Sequence, residues 1–360
     1  MADINEKKPF KKNPLSMQMD LSRFTLATDD EKQSVDVMRP PSTFWRDGFK
    51  NFRKNKMAMV SVVVIVLIIL AIIILPSFIP YTYSETIRVD GQRDRTVTNL
   101  KPYEWSEKEQ EYIDNGGVLF PHVMGTDQLG RDYFIRVIIG TRISLIVGFF
   151  ASIIVLVIGL IYGSISGFIG GKVDLVMMRI VDIIYSMPDL LIIILLSVAM
   201  KDIITNGPLA NTAVATLGAG LLSIFIVFGM LYWVSMARLV RGQVLSIKQQ
   251  EFVLAARSTG AKTGHIIRKH MIPNSISVIF ISAALQVPSA IFTESYLSFL
   301  GLGVSIPVPS LGSLAAGARG QLTVRPYLLI IPAIAIFLII LSLNLFGNGL
   351  RDAFDPKLRR

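Results

Sequence analysis

Six long apolar stretches divide the chain into segments of membrane length. They cover residues 57–75, 143–168, 180–200, 213–234, 276–292 and 327–346, and the fifth is the least sharply bounded. A helix of about 20 apolar residues is long enough to cross a hydrocarbon core roughly 30 Å thick. The pattern therefore predicts an all-α polytopic membrane protein with six transmembrane helices.

The composition agrees with that prediction. Hydrophobic residues make up 52% of the 360 residues and charged residues 17%, and the mean hydropathy of +0.54 is rarely found in soluble domains. The first apolar stretch follows a long charged segment, whereas a signal peptide has its apolar core near the N-terminus, so we expect this stretch to be retained. The chain has no cysteine, which excludes disulfides and thiol chemistry.

The positive charges indicate an orientation. The net charge is +10, and cations cluster before the first apolar stretch, in segment 236–274 and in the C-terminal tail. By the positive-inside rule these flanks face the cytoplasm, so both termini are predicted to be cytoplasmic. Segment 81–142 carries more acids than bases and would lie outside. Because the membrane explains where the cations lie, we expect no nucleic-acid partner.

The same pattern predicts five regions. Residues 1–41 are polar and form a disordered cytoplasmic tail. Residues 42–80 contain an interfacial helix, with Phe44, Trp45, Phe49 and Phe52 near one face, followed by the first transmembrane helix. Residues 81–140 form an extracellular subdomain, residues 141–350 a core with five transmembrane helices, and residues 351–360 a cytoplasmic tail.

The polar loop 236–274 has an unusual composition. It contains seven Lys or Arg residues and one acid, Glu251. Residues 247–259 favour a helix, Gly260 can supply a left-handed stop, and a second short helix is predicted to end at Pro273. Ala255 and Ala256 would present a small face. Such a loop fits either an acidic groove on a partner protein or a membrane surface with anionic lipid, and the residues alone do not decide between them.

Few residues offer chemistry for catalysis or transport. The chain has none of the common nucleotide-binding or hydrolase motifs, so nucleotide energy would have to come from another chain. Asp189, which follows Pro188 in the third stretch, and Glu294, near the outer end of the fifth, are candidates for a translocation path or gate, because ionisable groups in a membrane are costly. They also motivate the alternative of an ion-coupled secondary transporter.

Two small features complete the inventory. Gly163 and Gly167 form a G-x-x-x-G pattern, which permits close helix packing. His122 has no second histidine or cysteine nearby, so we expect it on the surface or at a helix cap and predict no metal site.

The loop resembles the EAA loop of bacterial ABC importer permeases. That pattern is E-A-A-x-x-x-G, followed after nine residues by I-x-L-P. Ala255, Ala256, Gly260 and Pro273 match it, and His270 stands at the isoleucine position. The glutamate position holds Leu254, with Glu251 one helical turn earlier. The segments GTDQLGRD, MPDLL, ESYLSFLGLGV and GNGLRDAFDPKLR are also similar to the second permease subunit of oligopeptide and dipeptide importers.

The resemblance implies a transport subunit and not an enzyme. By the same resemblance, we expect the subunit to have a type I ABC importer permease fold, to lie in the bacterial cytoplasmic membrane and to carry no cofactor of its own. Its partners are the lipid bilayer, a second related permease, two cytoplasmic ATPases that carry ATP and magnesium, and an extracellular binding protein that delivers the peptide. Glu251, Ala255, Ala256, Gly260, His270 and Pro273 would form the ATPase-docking loop. Dipeptide, oligopeptide and nickel-chelate importers share these motifs, so the substrate stays open, with a modest preference for oligopeptides.

Overall fold

The computed structural model describes residues 44–89, 91–207, 219–304 and 307–354. The predicted tail 1–41 and residues 355–360 of the predicted C-terminal tail lie outside these ranges. In chain order the elements are α1 (Phe44–Lys54), α2 (Lys56–Ile74), β1 (Arg88–Val89), β2 (Gln92–Arg93), α3 (Glu107–Asp114), α4 (Tyr133–Ile169), α5 (Gly171–Tyr185), α6 (Asp189–Asn206), α7 (Ala219–Val227), α8 (Trp233–Lys248), α9 (Glu251–Ser258), α10 (Thr263–Ile266), α11 (Ile272–Phe299), α12 (Leu311–Gly317) and α13 (Tyr327–Phe354).

Five continuous helical stretches within the described ranges are long and apolar enough to cross a membrane. They are Lys56–Ser77, Tyr133–Ile169, Ala219–Lys248, Thr263–Phe299 and Tyr327–Phe354. The third joins α7 to α8 through a π-helical turn, and the fourth joins α10 to α11 in the same way. Five of the six predicted apolar stretches therefore have a counterpart among these helices, with different ends.

The predicted apolar stretch 180–200 is not one continuous helix. Helix α5 ends at Tyr185 and α6 begins at Asp189. Pro188, with φ −66° and ψ 105°, lies at the N-terminal cap of α6. Proline has no N–H to donate, and it disfavours helical geometry in the residue before it. Hydropathy alone does not register this break.

Helix α1 packs against the end of α13. The Phe52 side chain is 5% exposed and its ring lies 5.7 Å from that of Phe346 in an edge-on contact. Phe49 is 61% exposed. The aromatic face predicted to enter the membrane is therefore divided, because Phe52 packs inside the protein and Phe49 faces outward.

Three glycines bring α4 and α8 into direct contact. A Cβ atom on Gly159 would lie 2.6 Å from the Cβ of Met236, and one on Gly163 would lie 2.4 Å from the carbonyl oxygen of Ala237. Gly167 lies one turn further, against Val244. The G-x-x-x-G pattern thus extends to three glycines on one face of α4, where the backbones meet at a distance that side chains would prevent.

The segment between α2 and α4 is a small folded unit. Strands β1 and β2 pair antiparallel, and α3 begins with a capping box formed by Ser106 and Glu109. Helix α4 starts at Tyr133, so the predicted subdomain 81–140 includes the first turns of this helix. His122 is fully buried, contrary to the expectation of a surface position, and its ring nitrogens lie 2.9 Å from Glu109 and Asp132.

Replacement of Gly163 by alanine should destabilise the α4–α8 contact. The new methyl group would collide with backbone, so the helices must separate, at a cost of about 1–3 kcal/mol. Thermal unfolding of the detergent-solubilised chain measures the effect. Gly242→Ala on α8 is the control, because a Cβ there meets nothing within 4 Å. Equal melting temperatures for both variants would contradict the role assigned to Gly163.

Candidate functional site

The polar loop 236–274 contains the end of α8, the short helix α9, a turn, α10 and the start of α11. Glu251 is the first residue of α9, where a carboxylate interacts favourably with the positive end of the helix dipole. The predicted helix 247–259 is thus divided, since α8 ends at Lys248 and α9 starts only at Glu251.

Gly260 ends α9 in the left-handed conformation that the sequence predicted, with φ +79°. The N–H of Ala261 donates to the carbonyl of Ala256 at 3.1 Å, and the N–H of Gly260 donates to that of Arg257 at 2.9 Å. This pair of bonds is a Schellman motif, which satisfies the last carbonyls of a helix. The chain then turns directly into α10.

One face of α9 is anchored and the opposite face is open. Val253 is fully buried and belongs to the same apolar cluster as Ile266 and Met271, against which the half-buried Ala256 packs. The exposed residues of the opposite face are Glu251, Leu254, Ala255 and Ser258. Their spacing of i, i+3, i+4 and i+7 places them in one stripe. We call these four residues the outer stripe of α9.

Only some of the predicted docking residues share this stripe. Glu251 and Ala255 belong to it, whereas Ala256 faces inward. His270 is half-buried in the π-helical turn before α11, with its ring 6.3 Å from that of Phe252. Pro273 is exposed, but it lies in the first turn of α11 and does not end a helix as predicted. Proline fits there because an N–H in the first turn has no partner within the helix.

Several loop cations bind within the chain. Arg241 donates two hydrogen bonds to the Asp174 carboxylate, at 2.5 and 2.6 Å. The bonds from Arg241 hold the pKa of Asp174 below its usual range. Lys248 donates to the carbonyl of Phe168 at 2.5 Å, and the Arg257 guanidinium lies 4.9 Å from the Phe168 ring. These contacts attach the loop to the C-terminal end of α4 and the start of α5.

The sequence reasoning missed Asp174 and Phe168. Asp174 has a weak signal, since it is the single acid in the first turn of α5 and follows the glycine pair 170–171. Phe168 has no such signal in the sequence, because an apolar residue inside an apolar stretch is expected to face lipid or the protein core.

Glu294 lies in a closed serine cage. Its side chain is fully buried and accepts hydrogen bonds from Ser144 at 2.9 Å and from Ser298 at 2.7 Å. Ser144 in turn accepts the N–H of Leu311, which begins α12. Glu294 therefore connects α4, α11 and α12 in this conformation and does not face an open path.

The break between α5 and α6 borders a cleft of about 250 Å³. Its lining includes Tyr185, Met187, Ile193, Tyr232, Gln286 and Ser289, from both sides of the break, the first π-helical turn and α11. Pro188 caps α6 and is exposed, and Asp189 is the first residue of α6. Asp189 thus lies directly after the helix break.

Comparison with known proteins identifies the family. Residues 159–360, more than half of the chain, match the family described as binding-protein-dependent transport system inner membrane component. Residues 43–102 match the N-terminal transmembrane domain of oligopeptide transport permease C.

Individual relatives match almost end to end. The chain is 41% identical over 334 residues to the oligopeptide transport system permease protein OppC of Bacillus subtilis, with 93% of this chain and 95% of the relative covered. It is 38% identical to the dipeptide transport system permease protein DppC of the same organism, with 94% and 93% covered. OppC of Haemophilus influenzae is 39% identical, with 88% and 90% covered. Together with its apolar helices, these matches show that the chain belongs to the family of multi-pass inner-membrane components of binding-protein-dependent transport systems.

Proposed function

We propose that this chain is a permease subunit of an ATP-driven peptide importer and forms half of its translocation path. The observation that carries the proposal is the geometry of α9, a helix anchored on one face by Val253 and open along its outer stripe. The names of the relatives, which are transport permeases for oligopeptides and dipeptides, support a peptide substrate.

Energy enters from other chains in this proposal. Two cytoplasmic ATPases bind ATP and magnesium, and each seats a short helix of a permease in a groove. On this chain that helix is α9, and Gly260 sets the direction in which the loop leaves it. Leu254 is 51% exposed at the position of the family's glutamate. An apolar contact from Leu254 therefore takes that place, with the Glu251 carboxylate one turn away in the same stripe.

The membrane arrangement in the proposal has six crossings, with both termini in the cytoplasm. Helices α5 and α6 together supply the crossing that is broken at Pro188. A second, related permease completes the path, and an extracellular binding protein delivers the peptide to the segment between α2 and α4. Closure of the ATPases on α9 then drives alternating access. In this arrangement the cleft beside the α5–α6 break lines the translocation path.

An ion-coupled secondary transporter is the weaker alternative. It would need Asp189 or Glu294 to exchange ions or protons with an open path. The serine cage around Glu294 satisfies its carboxylate within the protein, which favours a role in packing. Uptake that survives ATP depletion but collapses with the ion gradient would support the alternative.

Growth or uptake assays with peptides of graded length, in a strain that lacks this chain, measure the substrate preference.

Substitution of Gly260 by valine should uncouple the ATPase activity of the partner chains from the permease. A β-branched residue at φ +79° costs roughly 1–3 kcal/mol and redirects the chain toward α10. We expect loss of peptide-stimulated ATPase activity in the assembled complex, whereas membrane insertion persists. Gly264→Val is the matched control, because this exposed glycine lies in helical α10 without a positive φ and without neighbours within 4 Å of a Cβ. Normal stimulated activity in the Gly260 variant would refute the coupling role of the turn.

Single cysteines can test both the orientation and the docking face, because the chain has no cysteine of its own. A membrane-impermeant maleimide should label Val118→Cys in intact cells, since Val118 is 91% exposed in the extracellular unit. It should label Ala255→Cys only after permeabilisation, and assembly with the ATPases should protect Ala255→Cys alone. Labelling of Ala255→Cys from outside would exclude the proposed orientation, and unchanged labelling in the full complex would exclude docking at the outer stripe.

A further inference from the structure

A buried histidine joins two helix N-termini at the outer end of the longest helix. His122 is completely buried, its Nδ1 lies 2.9 Å from Asp132 and its Nε2 lies 2.9 Å from Glu109. Both carboxyl groups are buried as well. Neither the family match nor the proposed docking loop gives this group a role.

Both carboxylates already serve as helix caps. Asp132 caps α4 by accepting the N–H of Ile135 at 3.0 Å. Glu109 accepts the N–H of Ser106 at 2.9 Å and completes the capping box of α3. Acceptors at helix N-termini are stabilised as carboxylates by the positive end of the dipole. Each of them therefore requires a donor from the imidazole, and a neutral imidazole has only one N–H.

A doubly protonated ring satisfies both contacts. The imidazolium donates one hydrogen bond to each carboxylate, so α3 and α4 are joined by two charge-assisted bonds. The rings of Tyr81 and Trp105 lie 5.0 and 5.5 Å from the imidazole and cover it. The groups that face His122 are thus Glu109 from α3, Asp132 from the start of α4, and the aromatic rings of Tyr81 and Trp105.

The protonation of His122 follows from these neighbours. Burial by itself lowers the pKa of His122, but the hydrogen bonds with Asp132 and Glu109 outweigh it and raise the pKa to about 9. The folded pKa thus lies above the unfolded value of 6.5. The stabilisation is fully present below pH 6.5 and is lost as the pH rises through about 9. The bond between the two helices therefore persists across the ordinary pH range and is not a physiological switch.

Helix α4 connects this cluster to the candidate docking loop. It has 37 residues, which corresponds to a length of roughly 55 Å. At its inner end Lys248 and Arg257 contact Phe168, and along its length the three glycines pack against α8. A displacement of α3 can therefore reach the base of the cytoplasmic loop through one continuous helix and its packed neighbour.

We propose that the His122 imidazolium is a positioning residue that fixes the extracellular helix α3 to α4, so that a binding protein pressing on the extracellular unit moves α4. This inference rests on the proposed function as a permease that receives an extracellular binding protein. His122 touches no substrate. It acts through Glu109 and Asp132.

The test uses the complete complex in proteoliposomes, with peptide-loaded binding protein as the stimulus. In His122→Gln, a neutral amide faces two buried carboxylates. We expect about a tenfold loss of stimulation by the binding protein, with basal ATPase activity kept. A variant that loses basal and stimulated activity in parallel would show a merely structural role and would overturn the proposal. Val118→Gln, on the exposed surface of the same unit, is the matched control and should retain stimulation.

Two further measurements distinguish an effect of the His122 charge from a general loss of structure. The double variant Glu109→Gln with His122→Gln removes one of the carboxylates that lost its partner, so it should regain part of the stimulation. Stimulation in the unsubstituted complex should fall as the pH rises through about 9, and in His122→Gln this fall should be absent. If stimulation of His122→Gln still fell above pH 9 as in the unsubstituted complex, the role of the imidazolium would be contradicted. The same holds if the double variant were stimulated less than the single variant.

Hydrogen exchange of residues 103–132 measures how firmly His122 holds α3 to α4, and it does not require a transport assay. We expect faster exchange in α3 when His122 is replaced, and the same loosening in the unsubstituted chain above pH 9, after correction for the intrinsic rate. Equal protection in both proteins at pH 7 would refute the bond between the helices. If the unsubstituted complex shows no stimulation by binding protein, the proposed function fails, and the exchange result still decides whether His122 joins α3 to α4.

Discussion

The close contact between α4 and α8 is the interaction on which the remaining structure depends. Gly159, Gly163 and Gly167 leave two turns on one face of α4 without side chains, so α8 packs directly against the α4 backbone there. In a bilayer no hydrophobic effect drives helices together, and small residues allow the van der Waals packing that replaces it. Because α8 leads directly into α9, the position of the polar loop 236–274 is set by this contact.

Charged contacts then complete what the glycines begin. The two bonds between Arg241 and Asp174 lie at the end of this helix pair where α4 leads into α5, as does the bond from Lys248 to Phe168. These contacts use cations that would otherwise lie free around the loop. As a result, the outer stripe of α9 presents Leu254 and Ala255 beside one acid, and this face is less basic than the loop as a whole.

The two ends of α4 use charge in different ways. At the end of α4 that leads into α5, the partly exposed ion pair of Arg241 with Asp174 holds the polar loop 236–274. At the N-terminal end of α4, His122 is enclosed with Glu109 and Asp132, which cap α3 and α4. Buried ion pairs are costly to break because removal of one partner leaves the other without compensation. In the mechanism that we propose, α4 transmits movement from one of these ends to the other.

The sequence by itself determined the class of protein, most of the membrane helices and the turn at Gly260. These depend on local properties, namely apolar length and the φ that only glycine adopts easily. Pro188 indicated a local break in the backbone hydrogen bonds, but hydropathy, summed over about 20 residues, did not show that the third apolar stretch consists of two helices. Tertiary structure alone placed Ala256 inward and Ala255 outward, closed the serine cage around Glu294 and buried His122 between two acids. Each of these depends on residues 10 or more positions away, which no local pattern brings together.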